Sequence, residues 1–227
     1  VTEETHFLPP DNLQLDPDKG AAPRTSPTNL GMYLLALVCA RELELMTADE
    51  ICARMEKTVS AMESLETWRG HLLNWYDVRT LDALARRYVS TVDSGNLCAC
   101  LLRCAQALRA RLDETDAAFR ALPARLDALA GAMDFSALYD ENAELFYIGM
   151  DLETLSPGAS HYDLLASEAR LTSFLAVMRR EAPVRHWRRL GRALARSHGG
   201  AALLSWSGTL FEYLLPALFL DAPRGTL

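Results

Sequence analysis

Residues 26–65, SPTNLGMYLLALVCARELELMTADEICARMEKTVSAMESL, decide the fold. Two helix starts are written into them. Ser26-Pro27 is an N-cap followed by proline at the first helical position, where a missing N–H costs nothing. Apolar residues at 30, 34, 35, 37, 38 and 45 then carry a helix to about Met46. Thr47-Ala48-Asp49-Glu50 is a capping box, in which threonine and glutamate satisfy each other's backbone N–H groups. It opens a second helix with Ile51, Met55, Val59, Met62 and Leu65 on one stripe. With almost no turn between them, the two helices are expected to run antiparallel as a hairpin.

Working outward, residues 1–25 are Pro- and Asp-rich without periodicity and read as an extended lead-in. Residues 66–92 read as a long loop, of the kind that carries function inside a compact domain. A third helix is expected over Asp93–Arg111, an antiparallel fourth over Asp116–Met133, and a strand or short hairpin over Leu145–Met150. Ser160 and Asp163 start a fifth helix, Tyr162–Arg180, with a basic return leg from Pro183 to Ala195. A Gly199-Gly200 break precedes Ala201–Trp206, and Ser207–Leu220 forms the last helix. The expected fold is therefore all-α: a helical-hairpin toroid of α/α-barrel type over residues 26–227, with one short β-hairpin. In such an array Ser26–Asn29, Arg69–Asp93, His161–Asp163 and Ser205–Gly208 share one rim. No fixed repeat of 34 or 40 residues points to a solenoid.

Composition fits a domain with a genuine core: 227 residues, 50% hydrophobic and 23% charged. No apolar run reaches the ~18 residues of a membrane span, nothing at residues 1–6 reads as a signal peptide, and the chain is expected to be soluble. A net charge of −7 makes a nucleic-acid surface a poor expectation. The arginines at 179, 180, 185, 188, 189, 192 and 196 read as a solvated helix face. Cys39, Cys52, Cys98, Cys100 and Cys104 read as buried thiols, not as disulfides or a metal site. Asp140–Glu144 begins like a calcium loop but lacks its glycine and closing glutamate, and reads as a solvated turn. No pattern calls for a cofactor.

The rim segments combine Trp68, His71, Trp75, Tyr76, Tyr88, His161, Tyr162 and Trp206 with Arg69, Asn74, Asp77, Arg79, Asp93, Asn96 and Ser205. Flat aromatic faces beside planar hydrogen-bonding groups suit a sugar, and suit equally a plug over a helical core. Asp93 is either the N-cap of helix three or a cleft carboxylate; Asp77 is either an Asx-turn to Arg79 or a second such carboxylate. Glu212, between Phe211 and Tyr213, would have a raised pKa if buried, as a general acid requires. A glycosidase needs two carboxylates about 5 to 10 Å apart.

Five motifs taken together, 25–31 (TSPTNLG), 68–77 (WRGHLLNWYD), 88–97 (YVSTVDSGNL), 162–171 (YDLLASEARL) and 205–214 (SWSGTLFEYL), resemble the central glycoamylase-like domain of cyclic β-1,2-glucan synthases. The resemblance runs in order from about residue 23 onward. It implies an (α/α)6 barrel within a large membrane-anchored enzyme at the cytoplasmic face of the bacterial inner membrane, beside glucosyltransferase and phosphorylase-like domains. The activity it implies is transglycosylation that closes a linear β-1,2-glucan into a ring. Carried over as catalytic are Asp93, Glu212 and Asp77, and as substrate-binding Arg69, His71, Asn74, Trp75, Tyr76, Asn96, Ser205 and Trp206; no metal is implied. Two departures stand out: the stretch 111–130 is short for the family, and the chain stops at Leu227. About seven helices are legible where a closed barrel needs twelve, so the chain is expected to be the first half of that barrel, inactive alone. The competing expectation is a non-catalytic glucan-binding or protein-docking module.

Overall fold

A computed structural model of the chain describes residues 1–110, 119–197 and 199–221. In chain order its helices and strands begin with β1 (Leu13–Leu15), β2 (Asp18–Ala21), β3 (Arg24–Thr25), α1 (Pro27–Glu42) and α2 (Ala48–Ser64). There follow β4 (Thr67–Trp68), β5 (His71–Leu72), β6 (Asn74–Asp77), β7 (Ala83–Ser90), α3 (Thr91–Arg109) and α4 (Leu122–Ala132). Next come β8 (Tyr139–Asp140), β9 (Leu145–Tyr147), β10 (Gly149–Asp151), β11 (Ser156–Pro157), β12 (His161–Tyr162), α5 (Arg170–Met178) and α6 (Val184–Arg189). The last are β13 (Leu194–Ser197), β14 (Gly200–Leu203) and α7 (Leu210–Leu214).

The opening pair of helices forms where local chemistry dictates. Ser26 accepts from the Asn29 amide at 3.3 Å, and Thr47 and Glu50 close the capping box from both sides. The whole α2 stripe of Ile51, Met55, Val59, Met62 and Leu65 is buried. α1 stops four residues before Met46, which leaves Leu45 74% exposed.

The all-α expectation is wrong. The described residues contain five sheets, the largest in the order β11-β10-β7-β6-β3. The supposed loop 66–92 is mostly strand. Burial alternates along β6, with Asn74 and Tyr76 inside and Trp75 and Asp77 partly open, the period of two that a strand imposes. Between β4 and β5, Arg69 (φ 48°) and Gly70 (φ 78°) make a two-residue turn with both φ positive, as a tight hairpin requires. A Cβ on Gly70 would lie 2.0 Å from the Ala132 carbonyl oxygen, so this position needs glycine twice over. Residues 1–25 hold more than a lead-in: Leu8 is fully buried and β3 pairs with β6.

Later boundaries differ too. Leu145–Met150 holds two strands in different sheets, because β9 pairs with β8 and β12 while β10 pairs with β7 and β11. The fifth helix begins at Arg170, after the strand β12 and a run of turns. The basic return leg holds the short α6 and the start of β13, and Gly199 and Gly200 lie within a hairpin, β13–β14. The last helix contracts to α7 followed by a 3-10 turn, Leu215–Leu218. Position 116, the expected start of helix four, and position 227 lie outside the described residues.

The core centres on α3, which packs against α1, α4 and α5. Close approach is bought by glycine: a Cβ on Gly31 would meet Cys100 at 3.0 Å, and one on Gly95 would meet Thr172 at 1.8 Å. Cys52, Cys98, Cys100 and Cys104 are buried as expected, but Cys39 is exposed. The strands β3 and β7 run straight into α1 and α3, so the large sheet lies over the N-terminal ends of those helices.

Candidate functional site

Asp93 sits in the first turn of α3, and it is not the N-cap. Ser90 fills that place, its hydroxyl accepting from the Asp93 amide at 3.3 Å. The Asp93 carboxylate is thereby free to accept from the Asn74 side-chain amide of β6, at 3.2 Å. Asn74 is in register with Tyr88 of β7, so the sheet brings Asn74, Tyr88 and Asp93 to one place. The Tyr88 hydroxyl is pushed toward higher pKa by burial and by Asp151 and Asp93.

Two segments from the C-terminal half join them. Glu168, in the turns before α5, is half-buried, and desolvation with the nearby Glu212 and Asp93 carboxylates raises its pKa. The same neighbourhood acts on Tyr162, raised by burial and then by Glu168, Asp93 and Tyr88. Trp206 stacks on Tyr162, ring centroids 5.3 Å apart and 14° from parallel, and donates to Asp163 at 3.3 Å. Its ring is 50% exposed, leaving a face open.

Glu212 is buried, but its pKa moves opposite to the sequence expectation. Desolvation alone would raise it; donation by the Ser207 hydroxyl, the Thr209 and Ser207 amides and the Ser205 hydroxyl overrides that and holds it at about 2. The reason is local: Thr209 and Glu212 form a capping box on α7, and Ser205 (3.0 Å) and Ser207 (2.7 Å) complete the shell. Near neutral pH Glu212 is therefore an ionised carboxylate, not a proton donor.

The remaining expected residues divide by accessibility. His71 is fully buried, hydrogen-bonded to the Asp134 carbonyl at 2.9 Å, and burial depresses it to about 4, so it is neutral. Tyr76 is fully buried as well, its hydroxyl donating to the Glu66 carbonyl at 2.5 Å. Asn96 is buried and donates to Thr28. Asp77 holds a turn, accepting from the Arg79 and Thr80 amides at 2.7 and 3.2 Å. Arg69 pairs with Asp134 at 3.1 Å, and Trp75 lies under the Arg24 guanidinium at 4.6 Å. The side chains of His71, Tyr76 and Asn96 are thus taken up by bonds inside the fold, and that of Asp77 by its own turn. The residue that sequence reasoning missed is Glu168, although it stands in the motif 162–171. Among the described residues no group of three His, Cys, Asp or Glu could hold a metal.

A family profile described as a protein of unknown function, DUF3131, matches residues 13–96, the stretch that ends just past Asp93. Over 99% of its length the chain aligns at 28% identity with the cyclic β-(1,2)-glucan synthase NdvB of Rhizobium meliloti (strain 1021). The chain is similar to a cyclic β-1,2-glucan synthase. It spans 12% of that relative. The alignment covers 346 positions, more than the 227 residues here, so the relative carries stretches inside the matched region that this chain lacks. Among solved structures, the endo-β-1,2-glucanase of Chitinophaga pinensis, in complex with sophorotriose and glucose, has a TM-score of 0.66 at 16% identity, covering 91% of this chain and 54% of that one. The endo-β-1,2-glucanase of Talaromyces funiculosus with sophorose has a TM-score of 0.59 at 14% identity, covering 80% and 44%. At such identities the likeness is one of fold. The chain spans about half the length of these glucanases, and among its described residues no helix is long and apolar enough to cross a membrane.

Proposed function

We propose that this chain supplies part of the cleft of a β-1,2-glucan-active enzyme, one that transfers glucan chains and closes them into rings by carboxylate acid–base chemistry. The observation that carries the reading is a pair of glutamates pushed apart in proton affinity: Glu168 upward by burial and its neighbours, Glu212 down to about 2. Such a split is how one site keeps an acid and a carboxylate side by side near neutral pH. In this reading Glu168 protonates the leaving glycosidic oxygen. Asp93, oriented by Asn74, is the carboxylate that faces the anomeric carbon or the attacking hydroxyl. The charge of Glu212 adds to burial in raising the proton affinity of Glu168. The open face of Trp206 offers a stacking platform for a glucose ring. We assign the polypeptide that completes the cleft to the cytoplasmic face of the bacterial inner membrane, a reading that the similarity to the synthase supports.

A second reading, glucan binding without turnover, is favoured by the Glu212 carboxylate, whose oxygens already accept from Ser205, Ser207 and Thr209. One experiment separates them. The full-length protein that carries this chain is incubated with linear β-1,2-glucan, product lengths are followed by chromatography, and binding is followed by tryptophan fluorescence. Turnover that falls at least ~100-fold in Glu168→Gln with binding retained supports the catalytic reading. Binding without product supports the second, and neither binding nor product overturns both.

A further inference from the structure

Glu168 and Glu212 stand on separate, short pieces of chain. α7 has five residues, and three of them, Leu210, Phe211 and Leu214, are 75%, 47% and 55% exposed. Apolar burial therefore does little to fix where its carboxylate stands. One polar tie crosses from the Glu168 side to α7 itself. Arg170, two residues after Glu168, donates through Nη2 to the carbonyl of Tyr213, the residue after Glu212, at 3.0 Å. Its Nη1 points at the Leu165 carbonyl, a longer 3.5 Å away. The guanidinium is half-buried, desolvation lowers its pKa, and among the described residues it has no carboxylate partner. A half-buried cation spent on carbonyls is costly unless the carbonyls must be held.

We propose that Arg170 is a positioning residue, whose guanidinium joins the Tyr213 carbonyl of α7 to the chain around Glu168 and so fixes the separation of the two carboxylates. The inference rests on the reading of this pair as the chemical machinery, but its test needs no turnover. The groups that face Glu168 are Glu212 from α7, Asp93 from α3, the Tyr162 hydroxyl from β12 and the adjacent Ser167. If Arg170 holds Glu212 close, loosening α7 relieves the repulsion and Glu168 titrates at lower pH. If Arg170 acted only as a nearby positive charge, its removal would move Glu168 the other way.

The test is carboxyl ¹³C NMR titration of the chain, with the Glu168 signal assigned by Glu168→Gln. Glu212→Gln sets the full size of the neighbour's effect, expected to be a downward shift of roughly 0.5–1 pH unit. Arg170→Ala should reproduce a substantial part of that shift. Arg170→Lys, which keeps charge and bulk but loses the planar fork, should shift Glu168 in the same direction, and combining it with Glu212→Gln should add little. An unchanged or raised Glu168 midpoint in Arg170→Lys overturns the proposal, as does full additivity in the double variant. A shift as expected, with no glucan turnover by the full-length protein, would leave this proposal standing and sink only the catalytic reading.

Discussion

The side-chain amide of Asn74 donates to the carboxylate of Asp93 at 3.2 Å, joining a strand to the first turn of a helix nineteen positions on. Neither residue is doing what its local sequence suggests. Asp93 looks like an N-cap, but Ser90 has that role; Asn74 looks like a loop residue, but it sits inside a five-stranded sheet at 8% exposure. The contact holds the carboxylate against the sheet.

Asn74→Asp should destabilise the fold by about 1–3 kcal/mol at pH 7, since it replaces a donor with a second, mostly buried negative charge. One of the two carboxyls then has a folded pKa above its unfolded value. The loss is therefore expected to shrink below about pH 4, where both states are protonated. Urea unfolding at pH 7 and pH 3.5 checks it; an equal loss at both would show that charge is not the cause.

His71 gives a pH dependence of opposite sense. Its folded pKa of about 4 lies below the ordinary 6.5, so the unfolded chain binds more protons between those values and stability falls as pH is lowered through the window. The contribution at the bottom of the window is roughly 3 kcal/mol. His71→Gln, compared with the parent at pH 7 and pH 4.5, should flatten this part of the profile.

Arg179, read from sequence as one of a solvated basic face, is a structural clamp. It donates to the carbonyls of Ala130 at 2.8 Å and Met133 at 2.6 Å at the end of α4, pairs with Glu181 at 2.7 Å, and lies over the Phe135 ring. Arg179→Ala should cost about 2–4 kcal/mol by leaving those carbonyls and Glu181 without their donor. Arg180→Ala, next door and exposed, should cost under ~0.5 kcal/mol. Thermal melting of the two variants side by side is the measurement.

Gly95→Ala should destabilise by about 1–3 kcal/mol or more. The new methyl would sit 1.8 Å from the Thr172 hydroxyl and 2.8 Å from its Cα, and only the first can rotate away. Thr172→Ala in the same chain is expected to recover only part of the loss, because the backbone contact remains.

Trp206→Ala should weaken binding of β-1,2-glucooligosaccharides by roughly 3- to 10-fold, the worth of one stacked ring. Trp75→Ala, whose ring is taken up by Arg24, should change it less. Calorimetric titration of both variants decides the point.

What the sequence determined by itself was whatever rests on neighbours along the chain. The caps at Ser26 and Thr47 and the stripe from Ile51 to Leu65 depend on contacts three or four residues apart, and all are where the residues say. The Asx turn of Asp77 and the turn at Asp140 are local in the same way, although Asp140 also meets His161 from further along the chain. The rest was decided by partners far off in sequence. β3 is a strand because β6 lies beside it, fifty residues on, and two-residue strands carry too little pattern to announce themselves. Glu212 is a local case that the sequence reading missed, since Ser205, Ser207 and Thr209 stand seven, five and three residues before it and donate to its oxygens. The upward shift of Glu168 could not be read without its burial and without Glu212 and Asp93 at its side, since proton affinity is a property of surroundings. The motifs named the segments of the site; only their packing around α3 brought Glu168 beside Asp93 and Glu212.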